Sequence, residues 1–326
     1  MRPRIFITQP IADSAIKRLR AVADVEMNPD ASVIMGKDEL LAAVRKADIL
    51  FCLLQDHVDR DVLAANPKLR AIASMSITPD NIDIAAATER RIPVTGIQPM
   101  VTEATADLAI GLMLAVARRI AEGDRLSRQG VFPGSQSAYL AGTGVSSKVL
   151  GLVGGGGRIG RALARRAQGF DMKLIYWTPR RKPDAEQKFN MSYRTLDQLL
   201  AESDFVSLHP PLNAQTLHMI GARELALMKP TAYLINTSRG PIVDEKALVK
   251  ALSERRIAGA ALDVFESEPR IEPELMKMSN VVLTPHLGSA VVELREAMAN
   301  LVVDNILAIL DGKKPPNCLN PQVLGA

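Results

Sequence analysis

VLGLVGGGGRIG, residues 149–160, is an apolar run that ends on glycines and passes directly into a helical pattern. A short apolar run bounded by a turn reads as a strand buried on both faces. Gly155, Gly157 and Gly160 stand in GxGxxG register, with Arg158 and Ile159 between the last two. Glycine there lets the backbone turn tightly and come close to a pyrophosphate, whose charge meets the N-terminus of the following helix. The motif alone is weak, because glycine clusters also make ordinary turns; the strand before it and the helix after it give it weight. The four-glycine run from Gly154 holds one residue more than the fingerprint needs, so the register is open by one position.

Working outward, the next apolar run, KLIYW (residues 173–177), should end in a carboxylate if the ligand carried a free ribose 2′-hydroxyl. It runs instead into Thr178, Pro179, Arg180, Arg181 and Lys182. Guanidinium groups bind a phosphate bidentately where a carboxylate would repel it, so the segment points to NADP(H), with NAD(H) the alternative. The plainer competitor is a solvated charged loop.

Strand-like runs recur at residues 205–208, 232–235, 259–262 and 281–283, alternating with helical patterns, so residues from 148 onward read as a six-stranded doubly wound sheet. Before it, runs at 5–8, 49–54 and 71–75 alternate with helices near 12–20, 37–46 and 82–90, a separate α/β unit. One long helix is expected from Glu103 to about Gly123, then a loop over 124–147, and a last helix over 293–310. The fold class is α/β, with two doubly wound parallel-sheet domains.

The bulk properties exclude several alternatives. The chain has 326 residues, 47% hydrophobic and 23% charged, which suits two folded domains. Forty basic against 36 acidic residues, without a basic block, argue against nucleic acid. No apolar window approaches the ~18 residues of a membrane span. Cys52 and Cys318 form neither a disulfide framework nor a metal-ligand spacing, and the four histidines have no such spacing either, so no metal is expected and a reducing cytoplasm fits.

Four segments near the ends of later strands carry polar groups in apolar surroundings: VSLHPPL with His209, INTSRGPIVDE with Arg239, AALDVFESEP with Asp263 and Glu268, and VVLTPHLGSA with His286. In an open α/β sheet ligands bind beyond the carboxyl ends of the strands. Removing or supplying the alcohol proton that accompanies hydride transfer suits a histidine. His286 is the candidate, Glu268 a carboxylate to fix its tautomer, and Arg239 a grip for a substrate carboxylate. Each alone could equally be a strand cap or an ion-pair member.

Together with NIDIAAATERRIPVT, VTEATADLAIGLMLAVARR and SDFVSLHPPLNAQT, these stretches resemble the D-isomer-specific 2-hydroxyacid dehydrogenase family over nearly the whole chain, closest to its glyoxylate, hydroxypyruvate and 2-ketogluconate reductases. The resemblance implies Arg239, Glu268 and His286 as catalytic residues, and Asp263 as the holder of the nicotinamide carboxamide. It places His209, Pro210 and Thr216 along the cofactor, beside Thr178, Arg180 and Arg181. It also implies a substrate domain of residues 1–103 and 290–326, a flavodoxin-like unit into which a cofactor domain of 104–289 is inserted, and a homodimer. The substrate would be a small 2-oxo or 2-hydroxy acid. Ser76, Ile77 and Thr78 occupy the expected carboxylate-receiving loop, where relatives generally have glycines, and the loop 130–144 lacks a tryptophan often found there. Phosphoglycerate or phosphonate dehydrogenation, and a non-catalytic nicotinamide sensor, are the alternatives.

Overall fold

The computed structural model describes residues 2–324. It divides into two units, one made of residues up to Met100 together with those from Ala290 onward, the other of Val101–Ser289.

In the first unit, strands β1 (Arg4–Ile7), β2 (Asp24–Met27), β3 (Ile49–Cys52), β4 (Ala71–Ser74) and β5 (Val94–Thr95) form a parallel sheet in the order β2-β1-β3-β4-β5. Helices α1 (Asp13–Val22), α2 (Lys37–Val44), α3 (Arg60–Ala64) and α4 (Ile84–Glu89) alternate with them. The central β3 and β4 are buried at every position, as a sheet covered on both faces requires. Sequence reading had missed β2, α3 and β5, which are four, five and two residues long and carry too little periodicity to register.

The chain's last segment completes this unit. The backbone N–H of Leu319 donates to Val94 O at 2.8 Å, and Asn320 takes the N–H of Val94 while donating to Ile92 O at 2.9 Å. Residues 317–320 thus cover the short edge strand β5, whose unpaired backbone groups would otherwise be open to another chain.

The second unit holds α5 (Thr102–Ala117), α6 (Ile120–Arg128), β6 (Val149–Val153), α7 (Arg158–Ala167), β7 (Lys173–Trp177), α8 (Pro183–Phe189), β8 (Met191–Tyr193), α9 (Leu196–Glu202), β9 (Phe205–Leu208), α10 (Ala222–Leu227), β10 (Tyr233–Asn236), α11 (Glu245–Ser253), β11 (Gly259–Leu262), α12 (Pro273–Lys277) and β12 (Val281–Leu283). After it α13 (Val292–Leu310) returns to the first unit, where Ser14 donates to Glu296 at 2.7 Å and Arg18 to Asn300 at 2.9 Å.

All seven strands are parallel, in the order β12-β11-β10-β9-β6-β7-β8. The strand order reverses between β6 and β9, which opens the crevice where doubly wound sheets take ligands. One apolar core joins α5, α7 and α8 to the sheet and a second joins α9 to α12 to its other face. Each fully buried Leu, Ile or Phe there contributes about 1.5–3 kcal/mol.

Two expectations need correction. The sheet has a seventh strand, β8, only three residues long. The long helix expected over 103–123 is two helices, broken where Arg119 adopts a left-handed backbone (φ 54°). Nothing in the residue type announces that break. Among the described residues no helix is long and apolar enough to cross a membrane.

Candidate active site

The turn after β6 explains its glycines individually. Gly154 has φ +83°, and a Cβ on it would stand 2.8 Å from the His209–Pro210 backbone. A Cβ on Gly160 would lie 2.5 Å from the Cα of Gly155, so α7 can seat on the turn only without one. These contacts suit a register of Gly155, Gly157 and Gly160, with Gly154 the turning residue ahead of it. Gly157 precedes α7 in extended conformation and makes no side-chain cap, which leaves the helix's first amides to a ligand. Lys182 passes over this turn, its Cγ 2.6 Å from where a Cβ of Gly156 would be. Bare backbone amides at a helix start, with a lysine above them, fit a dinucleotide's pyrophosphate.

At the end of β7, Thr178 donates to Arg180 O at 2.8 Å, and the N–H of Lys182 donates to the Tyr176 hydroxyl at 2.8 Å. Arg181 forks onto Glu186 with both bonds at 2.7 Å, and with the Tyr176 hydroxyl this holds the Glu186 carboxyl down at about 2. Arg180 and Lys182 make no such pair among the described residues, so they, more than Arg181, have guanidinium and ammonium groups to offer. Arg158 is exposed at the first position of α7, with Ile159 partly covered behind it.

Beyond β9, His209 Nε2 bonds the Ser207 hydroxyl at 2.9 Å while Nδ1 is buried with no hydrogen-bond partner among the described residues. Burial lowers the His209 pKa to about 4. The Pro210 carbonyl accepts from the Ser238 hydroxyl. Thr216 is engaged within its own turn, donating to Pro211 O at 2.7 Å and accepting from the N–H of Asn213 at 2.8 Å.

The loops after β10, β11 and β12 bring the proposed chemistry together. Asn236 folds the first, accepting from the N–H of Ser238 and donating to Arg239 O, both at 3.0 Å. The loop then runs against the next one so closely that a Cβ on Gly240 would fall 1.9 Å from the backbone of Phe265. Two glutamates lock the approach: Glu245 accepts from the N–H of Glu266 at 2.8 Å, and Glu266 from the N–H of Glu245 at 3.1 Å. His218 braces Glu266 at 2.7 Å.

Asp263, almost fully buried, accepts from the Thr284 hydroxyl and the N–H of Leu287 at 2.7 Å each, and from the N–H of Gly288 at 2.9 Å. Burial raises its pKa against the opposing pull of these donors. The carboxylate thereby fixes the loop on which His286 stands in a left-handed conformation (φ 55°). Thr105 of α5 steadies the same loop by donating to Gly288 O at 3.1 Å.

His286 Nδ1 meets Glu268 Oε2 at 2.9 Å, and Oε1 of that carboxylate accepts from the N–H of Phe265 at 3.0 Å. Burial works against the Glu268 charge, but the His286 hydrogen bond and charge, the Phe265 amide and the charge of Arg239 outweigh it, and its pKa lies below the ordinary value. Imidazole, carboxylate and guanidinium thus share one neighbourhood although they are distant in sequence. In the first unit, Ser76 donates to Thr78 O at 3.1 Å and its carbonyl accepts from the N–H of Ile97 at 3.0 Å, which holds the Ser76–Ile77–Thr78 loop on the end of β4. Sequence reasoning missed Gly240 and the Glu245–Glu266 clasp, and it noted Lys182 in the basic segment without naming it as a cofactor contact; only the VDE and FESE segments beside the chosen residues hinted at the clasp.

Residues 110–288 match the model of the D-isomer specific 2-hydroxyacid dehydrogenase NAD-binding domain. The chain belongs to the D-isomer specific 2-hydroxyacid dehydrogenase family. Like the family, it is a nicotinamide-dependent oxidoreductase acting on CH–OH groups. It is 49% identical to the glyoxylate reductase of Thermococcus litoralis, over 99% of this chain and 98% of that one. Among solved structures, a Thermus thermophilus protein, TT0316, superposes with a TM-score of 0.87 at 40% identity, covering 97% of this chain and 99% of that one. The NADPH-dependent glyoxylate/hydroxypyruvate reductase of Sinorhizobium meliloti, in complex with NADP and malonate, matches with a TM-score of 0.77 at 32% identity and 98% coverage of each chain. For this member of the dehydrogenase family, the reduction of a small 2-oxo acid is the direction these relatives support.

Proposed function

We propose that this chain is an NADPH-preferring reductase of glyoxylate and hydroxypyruvate, with 2-ketogluconate a longer candidate, and that it acts as a homodimer. The observation that carries the reading is the His286–Glu268 hydrogen bond at 2.9 Å, with the charge of Arg239 acting on the same carboxylate. When bound, the reduced nicotinamide supplies a hydride to C2 of the substrate. His286, with Nδ1–H donated to Glu268, has Nε2 on the far side of its ring to give a proton to the carbonyl oxygen. Glu268 fixes that tautomer and offsets the positive charge of the protonated ring. Arg239 pairs with the substrate carboxylate and draws electron density from the adjacent carbonyl. Ser76, Ile77 and Thr78 are proposed as further carboxylate contacts, and Asp263 as a nicotinamide contact through the carboxylate capacity its loop leaves open.

NADPH preference rests on Arg180 and Lys182 beside the glycine turn, and on the absence of a carboxylate between Thr178 and Lys182. The homodimer rests on exposed apolar side chains on and after α6, Ile120 at 55% and Phe132 at 87%, which a second copy would cover. Steady-state assays of the purified protein with glyoxylate, hydroxypyruvate, 2-ketogluconate and a phosphorylated 2-oxo acid, each with NADPH and NADH, test the reading. Turnover of the unphosphorylated acids is expected, with Arg180→Ala narrowing the preference for NADPH. No turnover across the panel would end the proposal, and light scattering that gives a monomer would remove its dimer.

A further inference from the structure

At the end of the seven-stranded sheet away from His286 lies a cavity of about 650 Å³. Its wall includes Tyr233, the first residue of β10, and Ala258 and Asn280, which immediately precede β11 and β12. His286, Asp263 and Arg239 follow the other ends of these same strands, about 13 Å away along four extended residues.

Three cations line the cavity, Arg119, Arg255 and Lys277, and no carboxylate does. Arg119 is held by Glu122 at 2.8 Å and 2.9 Å. Lys277 feels the charge of Glu274 but forms no ion pair with it, and the Arg255 guanidinium has no hydrogen bond or ion pair among the described residues. Arg119 and Arg255 both hold left-handed backbone, φ 54° and 51°. Each stands just past a helix end, a position that glycine or asparagine takes at lower cost.

The wall is also built. A Cβ on Gly142 would fall 2.4 Å from Ala117 O, so that loop lies directly on the end of α5, where the N–H of Thr143 donates to Ala117 O at 2.8 Å. The hydroxyls of Thr143 and Tyr233 bond each other at 2.9 Å and close the inner side. Positive charge in a hollow whose own lining carries no carboxylate, with Arg255 unpaired among the described residues, favours anions, and the volume is that of a metabolite site. We propose that this cavity binds a small organic or inorganic molecule with two or more clustered anionic groups, either phosphoryl or carboxylate, with Arg255 and Lys277 as its main contacts.

The test uses the full chain with NADP(H) present in excess, so that the glycine turn is occupied. Pyrophosphate and citrate are the probes, and potassium chloride at matched ionic strength is the control. A saturable rise in melting temperature of about 3 °C or more is expected with at least one probe at about 10 mM. Which probe acts identifies phosphoryl or carboxylate chemistry. Arg255→Ala with Lys277→Ala, both exposed and away from His286, should make the rise clearly smaller than in the parent while leaving the probe-free melting temperature and reductase turnover unchanged. Arg255→Lys should retain it. The substrate pocket is the same in every variant, so probe bound there contributes equally to each and cancels. A saturable rise absent from the parent, or equal in the double variant, overturns the proposal.

Discussion

Gly240→Ala adds one methyl group at the most crowded point of the candidate active site. That Cβ would lie 1.9 Å from Phe265 C and O and 2.5 Å from Glu266 N. Carbon atoms in contact sit about 3.5–4.0 Å apart, so the two loops must separate by roughly 1.5 Å. All three obstacles are backbone, and no rotamer change relieves them. Separation strains the reciprocal Glu245–Glu266 hydrogen bonds and moves Arg239, one residue away, relative to Glu268. Overpacking of this kind costs about 1–3 kcal/mol, and the rigid partner puts the cost at the upper end. Misplacing a positioning group by ~1 Å costs about 100-fold in rate, equivalent to about 2.7 kcal/mol of transition-state stabilisation. Urea unfolding followed by circular dichroism should report the first quantity. The loss of NADPH absorbance with glyoxylate should report the second as a fall in kcat/KM. NADPH affinity, set mainly at the distant glycine turn, should change less than about threefold. A variant within about threefold of the parent in kcat/KM, and equally stable, would refute the claim that this contact sets the site.

Three further outcomes are expected. Glu268→Gln keeps an oxygen able to accept from His286 but removes the negative charge that offsets the protonated ring, and should lower kcat by about 100-fold or more, with a smaller change in KM, in steady-state assays. Because the folded Glu268 pKa is depressed, its contribution to stability is present above the unfolded value and lost as pH falls through the folded one, so the variant should show a shallower acid limb in melting temperature against pH. His209 is held neutral: the unfolded chain takes up its proton near pH 6.5 and the folded chain near 4, so its contribution is complete above 6.5, falls between 6.5 and 4, and is constant below; His209→Gln should flatten stability over that window in calorimetry. Gly111→Ala, within α5 where a Cβ meets nothing within 4 Å, should raise stability by about 0.5–1 kcal/mol in denaturant titration.

The sequence made legible those features in which local pattern and tertiary role coincide. Gly155, Gly157 and Gly160 follow a buried strand and open an amphipathic helix, so their spacing and surroundings agree before any coordinates exist. The same holds for β9 to β12, apolar runs too compact to be helices, each followed within three residues by a candidate site residue: His209, Arg239, Asp263 and His286. Short elements were lost. β5 is a strand because β4 pairs with it in parallel, with Asn317, Leu319 and Asn320 from far along the chain covering its other edge, and its own two residues carry no signal. The break at Arg119 lies inside a strongly helical stretch, where tertiary packing overrides propensity. Gly240 reads as an ordinary loop glycine beside proline until Phe265 is placed against it. Arg181 reads as a phosphate ligand until Glu186, a turn further on, takes its guanidinium. Sequence can show which groups are present, but competition among partners is settled only in space.

The clasp of residues 317–320 on β5 has a consequence for synthesis on the ribosome. Everything from Val101 to Ser289 has emerged before α13 and the closing segment exist, so the inserted unit can finish folding while the first unit still lacks a helix and the cover of one sheet edge. The order of emergence thus runs against the order of maturation: the part made first is completed last. During that interval the bare edge of β5 is the place where a nascent chain could join a neighbour instead of its own terminus.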